Sequence, residues 1–342
     1  MSGFSRRDLV VVAASAGGVE SLRALMAALP GDLPASLLLV LHIPPRGGSA
    51  LAGILDRAGP LKAAPAVDGE PLRHGRVYVA PPDHHLLVHD ATVRLSRGPR
   101  HNGHRPAADP LFMSAAIEGG PRTLAVVLSG MLDDGSRGCA LVERYGGAVA
   151  VQDPEESLFA GMPRAALDAT RDPEVLPVAE IARLIVRQSG MPAGEEERVP
   201  DPQIERDAQA EREVSLFLRT GRPTTPAGDL TGFTCPECNG PLYETGIRPY
   251  PRYECRVGHV WSAQTMADGQ AVAVERALWV AILRLEERLR VLDRLTRNSE
   301  RRGHTHSVQR FRDQAEEIGE ALETMRMLQS RIGGFEDDLL SS

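Results

Sequence analysis

Residues 9–31, LVVVAASAGGVESLRALMAALPG, run from a short apolar strand through a turn of small residues into an amphipathic helix. Leu9 to Val12 form the strand. The helix carries an apolar stripe at Val19, Leu22, Leu25, Met26 and Leu29 and stops at Pro30-Gly31. Ser15 falls where strand becomes helix, beside the unpaired N–H groups and positive end of that helix. Two roles suit a serine there. It is a common helix cap, and it is well placed as a nucleophile whose attack creates an oxyanion. Ala13, Ala14 and Ala16 keep the turn uncluttered, and Gly17-Gly18 permit backbone angles other residues avoid.

Outward from this unit, from Arg7 to about Gly190, apolar runs alternate with helical patterns, which predicts an α/β fold: a largely parallel, doubly wound sheet. Leu37 to Leu41 is a buried strand ending at His42-Ile43-Pro44, and Leu51 to Ala58 gives a short helix. Residues 75–97 break into strand-like pieces separated by turn residues, which predicts an antiparallel extension of the sheet. A helix is expected from Asp109 through Ile117 and a strand over Thr123 to Leu128, opening into the glycine-rich loop SGMLDDGSRG. Val149–Gln152, Met162–Ala169 and Ala179–Gln188 complete the pattern as strand, helix and helix.

Ser15, His42 and Asp134 therefore each follow a different buried strand, and in a parallel sheet those ends open on one edge. Together they are the residue types of a hydrolytic triad. His42 would accept and return the serine proton, and Asp134 would hold the imidazole. Each also has a plain structural role, as cap, strand-end histidine or turn former, and Asp133 competes with Asp134 for the acidic position. The surroundings of Ser15 lack the first glycine of G-x-S-x-G, and no G-x-G-x-x-G or P-loop lysine supports nucleotide binding.

The blocks AASAGGVESL, VLHIPP, DGEPLRHGRVYVAPPDHHL, HRPAADPLFMSAA, VVLSGMLDDGSRG and QDPEESLFAGMPRAA resemble, in uninterrupted order over roughly the first 190 residues, the catalytic domain of the chemotaxis receptor methylesterases, the CheB family. The resemblance implies a serine-type protein-glutamate methylesterase that hydrolyses glutamyl methyl esters on methylated receptors, with glutamine deamidation as a companion activity and no catalytic cofactor. It maps Ser15 to the nucleophile, His42 to the base and Asp134 to the acid, and gives the oxyanion to the backbone N–H groups of Met131 and Ala16. His104, Arg105, Gly161, Met162 and Pro163 lie in blocks near the family's site. Ala16 and Leu132 stand where Thr and Gly are common, which bears on the pocket wall rather than on the triad. The family's usual phosphoacceptor receiver domain has no counterpart before the first strand, so control by a receiver in this chain is not expected.

The rest of the chain is expected to hold three parts: a Pro/Gly/acid-rich linker over 191–230 with a short helix from Gln203 to Arg219, a zinc-ribbon-like unit over 231–266, and a helical hairpin over 267–334. The catalytic domain takes 6–190. In the ribbon, Cys235-x2-Cys238 and Cys255-x3-His259 present three thiolates and an imidazole, the donor set of a structural tetrahedral Zn²⁺ site. Some methylesterase-like proteins carry a similar ribbon. The hairpin shows seams at Leu278, Ile282, Leu285, Leu289 and Leu292, and at Val308, Phe311, Ala315, Ile318, Leu322 and Met325. Mutual burial is the first meaning of such seams; a homo-oligomer or a partner helix is the second. Trp261 and Trp279 are expected to anchor ribbon to hairpin.

A net charge of −7 and the lack of interleaved basic and aromatic residues argue against a nucleic-acid partner. No apolar run nears the ~20 residues of a membrane span, no signal peptide opens the chain, and the clustered cysteines point to metal rather than disulfides; the expected location is the cytoplasm. The competing function is a non-catalytic signalling adapter built on a hydrolase scaffold.

Overall fold

A computed structural model describes residues 7–44, 50–190, 226, 228–245 and 251–333; the linker helix expected over 203–219 lies outside them. The chain divides into two compact units, Met1–Met266 and Ala267–Ser342.

The first unit is built on a parallel seven-stranded sheet. Its strands are β1 (Leu9–Ala14), β2 (Ser36–Leu41), β3 (Lys62–Pro65), β4 (Arg76–Val79), β7 (Thr123–Val127), β8 (Ala148–Gln152) and β9 (Glu174–Leu176). Their order is β3-β4-β2-β1-β7-β8-β9. The chain moves from β1 outward through β2, then returns to add β7 on the other side. The carboxyl ends of β1 and β7 thus flank the switch in winding direction, where open α/β sheets leave a crevice.

Every residue of β1 is buried, because helices cover both faces. Val10, Val12 and Ala14 pack with α1 (Gly18–Ala28), α2 (Leu51–Ala58) and α6 (Val178–Gly190) through Leu22, Leu25, Leu55 and Ile181. Leu9, Val11 and Ala13 face the other core, which includes residues of α3 (Ala108–Gly119), α4 (Ser136–Arg144) and α5 (Gly161–Ala169).

The region 75–97 differs from the antiparallel sheet extension expected of it. β4 joins the main sheet parallel to both β2 and β3. Its Val77, Tyr78 and Val79 are all buried, so it lacks the half-exposed alternation of an antiparallel edge. The antiparallel pairing is confined to β5 (His85–His89) and β6 (Thr92–Ser96), a separate two-stranded sheet. Asp90 and Ala91 join them with φ 47° and 52°, the left-handed pair that a tight hairpin requires.

A four-stranded antiparallel sheet follows: β10 (Asp229–Thr234), β11 (Pro241–Thr245), β12 (Arg252–Cys255) and β13 (Val260–Trp261). Cys235, Leu242, Tyr253, Cys255, Trp261 and Met266 form its small core. Two long helices, α7 (Ala263–Arg301) and α8 (Thr305–Gly333), make the C-terminal hairpin. Ile282, Leu292, Ile318 and Leu322 are its most buried seam residues, and the exposed Glu286–Arg326 and Glu300–Arg312 ion pairs, at 2.7 and 2.6 Å, link the two helices in antiparallel register. Trp261 is buried, whereas Trp279 is 52% exposed, so burial gives Trp279 no anchoring role. Among the described residues no helix is long and apolar enough to cross a membrane.

Candidate active site and cysteine–histidine cluster

Strand register alone brings two of the sequence-selected residues together. Ala14 pairs with Leu41, so Ser15 and His42 leave adjacent strands side by side, and the His42 N–H donates to the Ala14 carbonyl at 3.2 Å. Ser15 is tied across to the loop after β7 by its N–H on the Ser129 carbonyl, 2.9 Å. The turn into α1 needs Gly17 at φ 68°, where a side chain would also strike the Ser129 hydroxyl and Leu158.

Asp134 arrives on the loop between β7 and α4, and it is 2% exposed. Its Oδ2 accepts from His42 Nε2 at 2.7 Å and from the Ala108 N–H at 2.6 Å; its Oδ1 accepts from Asn102 Nδ2 at 3.2 Å and from the Asp109 N–H at 3.3 Å. The two backbone donors are the first turn of α3, whose positive end favours a carboxylate. Burial alone would raise this carboxyl's pKa, but the His42 hydrogen bond and charge and the Ala108 N–H outweigh it and hold it well below the ordinary range. Its neighbour Asp109 goes the other way, raised by burial and then by the Asp134 charge.

Because the carboxylate can only accept, His42 Nε2 carries a hydrogen and Nδ1 is left as the acceptor. Nδ1 lies 3.2 Å from Ser15 Oγ. Hydroxyl, imidazole and carboxylate are therefore linked in series. Of the two acids in the loop, Asp134 and not Asp133 makes the link. A proton leaving Ser15 has a direct acceptor, and the resulting imidazolium faces a buried anion; this arrangement can activate a serine for attack on a carbonyl carbon.

Ala16 follows Ser15 directly, and its carbonyl accepts from Ser129 Oγ at 2.8 Å. Met131 sits on the turn after β7; next to it, a Cβ added to Gly130 would lie 3.0 Å from Ser15 Cβ. Met131 itself is 44% exposed.

Asn102 escaped sequence reasoning, and His104 and Arg105, placed near the site by resemblance, had no role assigned to them. His104 stacks on His42 with ring centroids 4.0 Å apart and planes 6° from parallel. Burial, then the His42 charge, pushes its pKa down to about 4, so it stacks as a neutral ring. Asn102 supplies a donor to Asp134, and Arg105 pins the same loop through Asp83 and the Gly98 carbonyl. The Asn-Gly at 102–103 was readable as a turn signal, but nothing local pointed to the side chain's partner.

The family model for CheB methylesterase matches residues 10–185, just over half of the chain. The chain belongs to the CheB methylesterase family. Among CheB-type relatives, the protein-glutamate methylesterase/protein-glutamine glutaminase 2 of Anaeromyxobacter dehalogenans is 40% identical over 181 residues, covering 53% of each chain. The protein-glutamate methylesterase/protein-glutamine glutaminase of Pyrococcus horikoshii is 36% identical over 185 residues, covering 53% of this chain and 50% of the relative. The chain thus spans about half the length of these curated relatives. The CheB methylesterase catalytic domain of Thermotoga maritima, known from a crystal structure, superposes with a TM-score of 0.50 at 35% identity, over 53% of this chain and 97% of that one.

Outside the CheB-like region, Cys235 and Cys238 lie on the β10–β11 knuckle and Cys255 and His259 on the β12–β13 knuckle. Their ligand atoms all fall within 4.8 Å of one another, a group that could hold a metal ion. His259 Nδ1 is 3.6 Å from Cys235 Sγ and 3.5 Å from Cys255 Sγ, and Cys238 Sγ is 3.6 Å from Cys255 Sγ. Those separations are far beyond a disulfide's ~2.05 Å. All four cysteines, Cys139 included, are free thiols. His259 Nε2 faces Glu237 at 3.5 Å, which leaves Nδ1 for the cluster.

Proposed function

We propose that this chain is a protein-glutamate methylesterase of the cytoplasm, with glutamine deamidation as a second activity, acting on the methylated helices of chemoreceptor-type proteins. The observation that carries the reading is the unbroken hydrogen-bond path from Ser15 Oγ through His42 to Asp134 at the switch point of the sheet. Ser15 attacks the ester carbonyl while His42 Nδ1 takes its proton. The negative charge on the tetrahedral oxygen is met by the backbone N–H groups of Met131 and Ala16. Collapse expels methanol, protonated by His42, and leaves an acyl-serine. Water, deprotonated by His42, then releases glutamate and restores Ser15. With glutamine, ammonia leaves in place of methanol.

The Cys235, Cys238, Cys255 and His259 cluster is proposed to hold structural Zn²⁺. Zn–S bonds of about 2.3 Å and a Zn–N bond of about 2.05 Å in a tetrahedron put sulfur atoms about 3.8 Å apart and sulfur and nitrogen about 3.6 Å apart. The Cys238–Cys255, Cys235–His259 and Cys255–His259 separations of 3.6, 3.6 and 3.5 Å are close to those values. Four protein ligands leave no open coordination position for chemistry. The exposed apolar residues of the hairpin, Trp279, Val280 and Leu283, are read as its assembly surface, for a second copy or a partner helix.

Methanol release from a methylated receptor fragment, measured for the native protein and for Ser15→Ala, tests the reading. Native turnover with at least a thousandfold loss in the variant is expected; equal rates overturn it.

A further inference from the structure

The loop that carries His104 meets the triad on one side and the ribbon on the other. His101 to His104 form a tight turn, with the His104 N–H on the His101 carbonyl at 2.8 Å and the His101 N–H on the His104 carbonyl at 3.2 Å. Its central residues, Asn102 and Gly103, have φ 51° and 75°, and Asn-Gly is the pair that accepts this geometry best. The turn places His104 on the His42 ring and the Asn102 carboxamide on Asp134.

The other end of that carboxamide is held by the ribbon. Asn102 Oδ1 accepts from the Ser262 N–H at 3.0 Å and from Thr265 Oγ1 at 2.9 Å. Ser262 and Thr265 cap α7 reciprocally: the Ser262 N–H donates to Thr265 Oγ1 and the Thr265 N–H to Ser262 Oγ, both at 3.0 Å. Asn102 is 7% and Thr265 3% exposed. This network fixes the amide orientation, since a flipped carboxamide would set its oxygen against the carboxylate and its NH₂ against two donors.

Backbone bonds continue the attachment. The Asn102 N–H donates to the Val260 carbonyl at 2.8 Å, and the Val260 N–H to the Arg100 carbonyl at 3.2 Å. Glu237, from the first cysteine knuckle, faces Arg100 and His259 at 3.5 Å each. The segment 259–265 is thereby bonded to the turn that supports both His42 and Asp134.

We propose that Asn102 is a positioning residue of the hydrolase site and that the cysteine–histidine ribbon, through Val260, Ser262 and Thr265, holds it against Asp134. The ribbon then supports the triad directly instead of hanging on it as a separate appendage. This rests on the hydrolase reading of Ser15.

The test uses the full chain. Asn102→Gly keeps the left-handed turn and removes the carboxamide; Thr265→Val removes only the ribbon-side hydroxyl; Thr265→Ser restores it. Two readouts are taken: the rate of Ser15 modification by a fluorophosphonate across pH, and the low-field proton resonance of the His42–Asp134 hydrogen bond. Modification is expected to slow about tenfold in Asn102→Gly and about fivefold in Thr265→Val, and to stay within about twofold of native in Thr265→Ser. The double variant is expected to be no slower than Asn102→Gly, because both changes break one path. The resonance is expected to shift upfield or broaden in the two slow variants. Native rates and an unmoved resonance in Asn102→Gly, or additive losses in the double variant, overturn the proposal. A native protein that the fluorophosphonate leaves unlabelled overturns the hydrolase reading instead, and this proposal with it.

Discussion

Replacing Asp134 by Asn is the sharpest test of the site's electrostatics, because it removes a charge with almost no change of shape. The carboxylate accepts four hydrogen bonds, two on each oxygen, three of them from groups that can only donate and the fourth from His42 Nε2. An amide has one accepting oxygen. Whichever way it turns, its NH₂ faces two of those donors, either Ala108 N–H with His42 Nε2 or Asp109 N–H with Asn102 Nδ2. The first orientation drives His42 to carry its hydrogen on Nδ1, where it can no longer accept the Ser15 proton. The second keeps the tautomer but loses the anion. With charge centres about 4 Å apart and an effective dielectric near 20, that anion favours the imidazolium by about 4 kcal/mol. Since 1.36 kcal/mol is a tenfold change in rate, kcat is expected to fall about a thousandfold, and further where the wrong tautomer dominates. KM is expected to hold within about threefold, since Asp134 is buried behind His42 and away from bound ester. Methanol release and fluorophosphonate labelling of Ser15 both read this. A loss below tenfold would refute the role given to the Asp134 charge.

Two further outcomes follow from burial and from the cluster. His85 is fully buried and burial lowers its pKa to about 4, against about 6.5 in the unfolded chain. Between those values only the unfolded state binds the proton, so stability is expected to fall as the pH drops from 6.5 to 4, by up to about 3 kcal/mol from this residue; urea midpoints at pH 7.5 and 4.5 check it, and equal midpoints would count against it. Metal analysis of the purified chain is expected to find one zinc per molecule, with Cys235→Ser losing it and altering the near-ultraviolet signal of Trp261, which lies in the ribbon core; a metal-free chain with native spectra would dismiss the zinc site.

Much of the fold was legible in the residues. Wherever an apolar run was long and flanked by turn residues, as in β1, β2, β7 and β8, the strand was found, because burial on both faces demands such runs. β3 and β9 carry no clear strand signal, since KAAP and EVL are too short and too mixed to stand out. α4 has no clear start signal because it begins inside the glycine-rich loop. The pattern of β4 marks a strand but not its direction, which is parallel here and depends on which neighbour it meets.

At the site, sequence alone determined which residue types end the buried strands: serine, histidine and an aspartate pair, each placed by a local strand-to-loop transition. Parallel register then had to bring Ser15 beside His42. Tertiary structure by itself decided that Asp134 and not Asp133 completes the series, that His104 lies flat on His42, and that Asn102 joins the acid to the ribbon. The reason is distance along the chain. Asn102 bonds partners 32 and 163 residues away, so its own neighbourhood reveals only a turn. Side chains whose partners arrive from separate elements acquire their role only when the packing of those elements sets the approach.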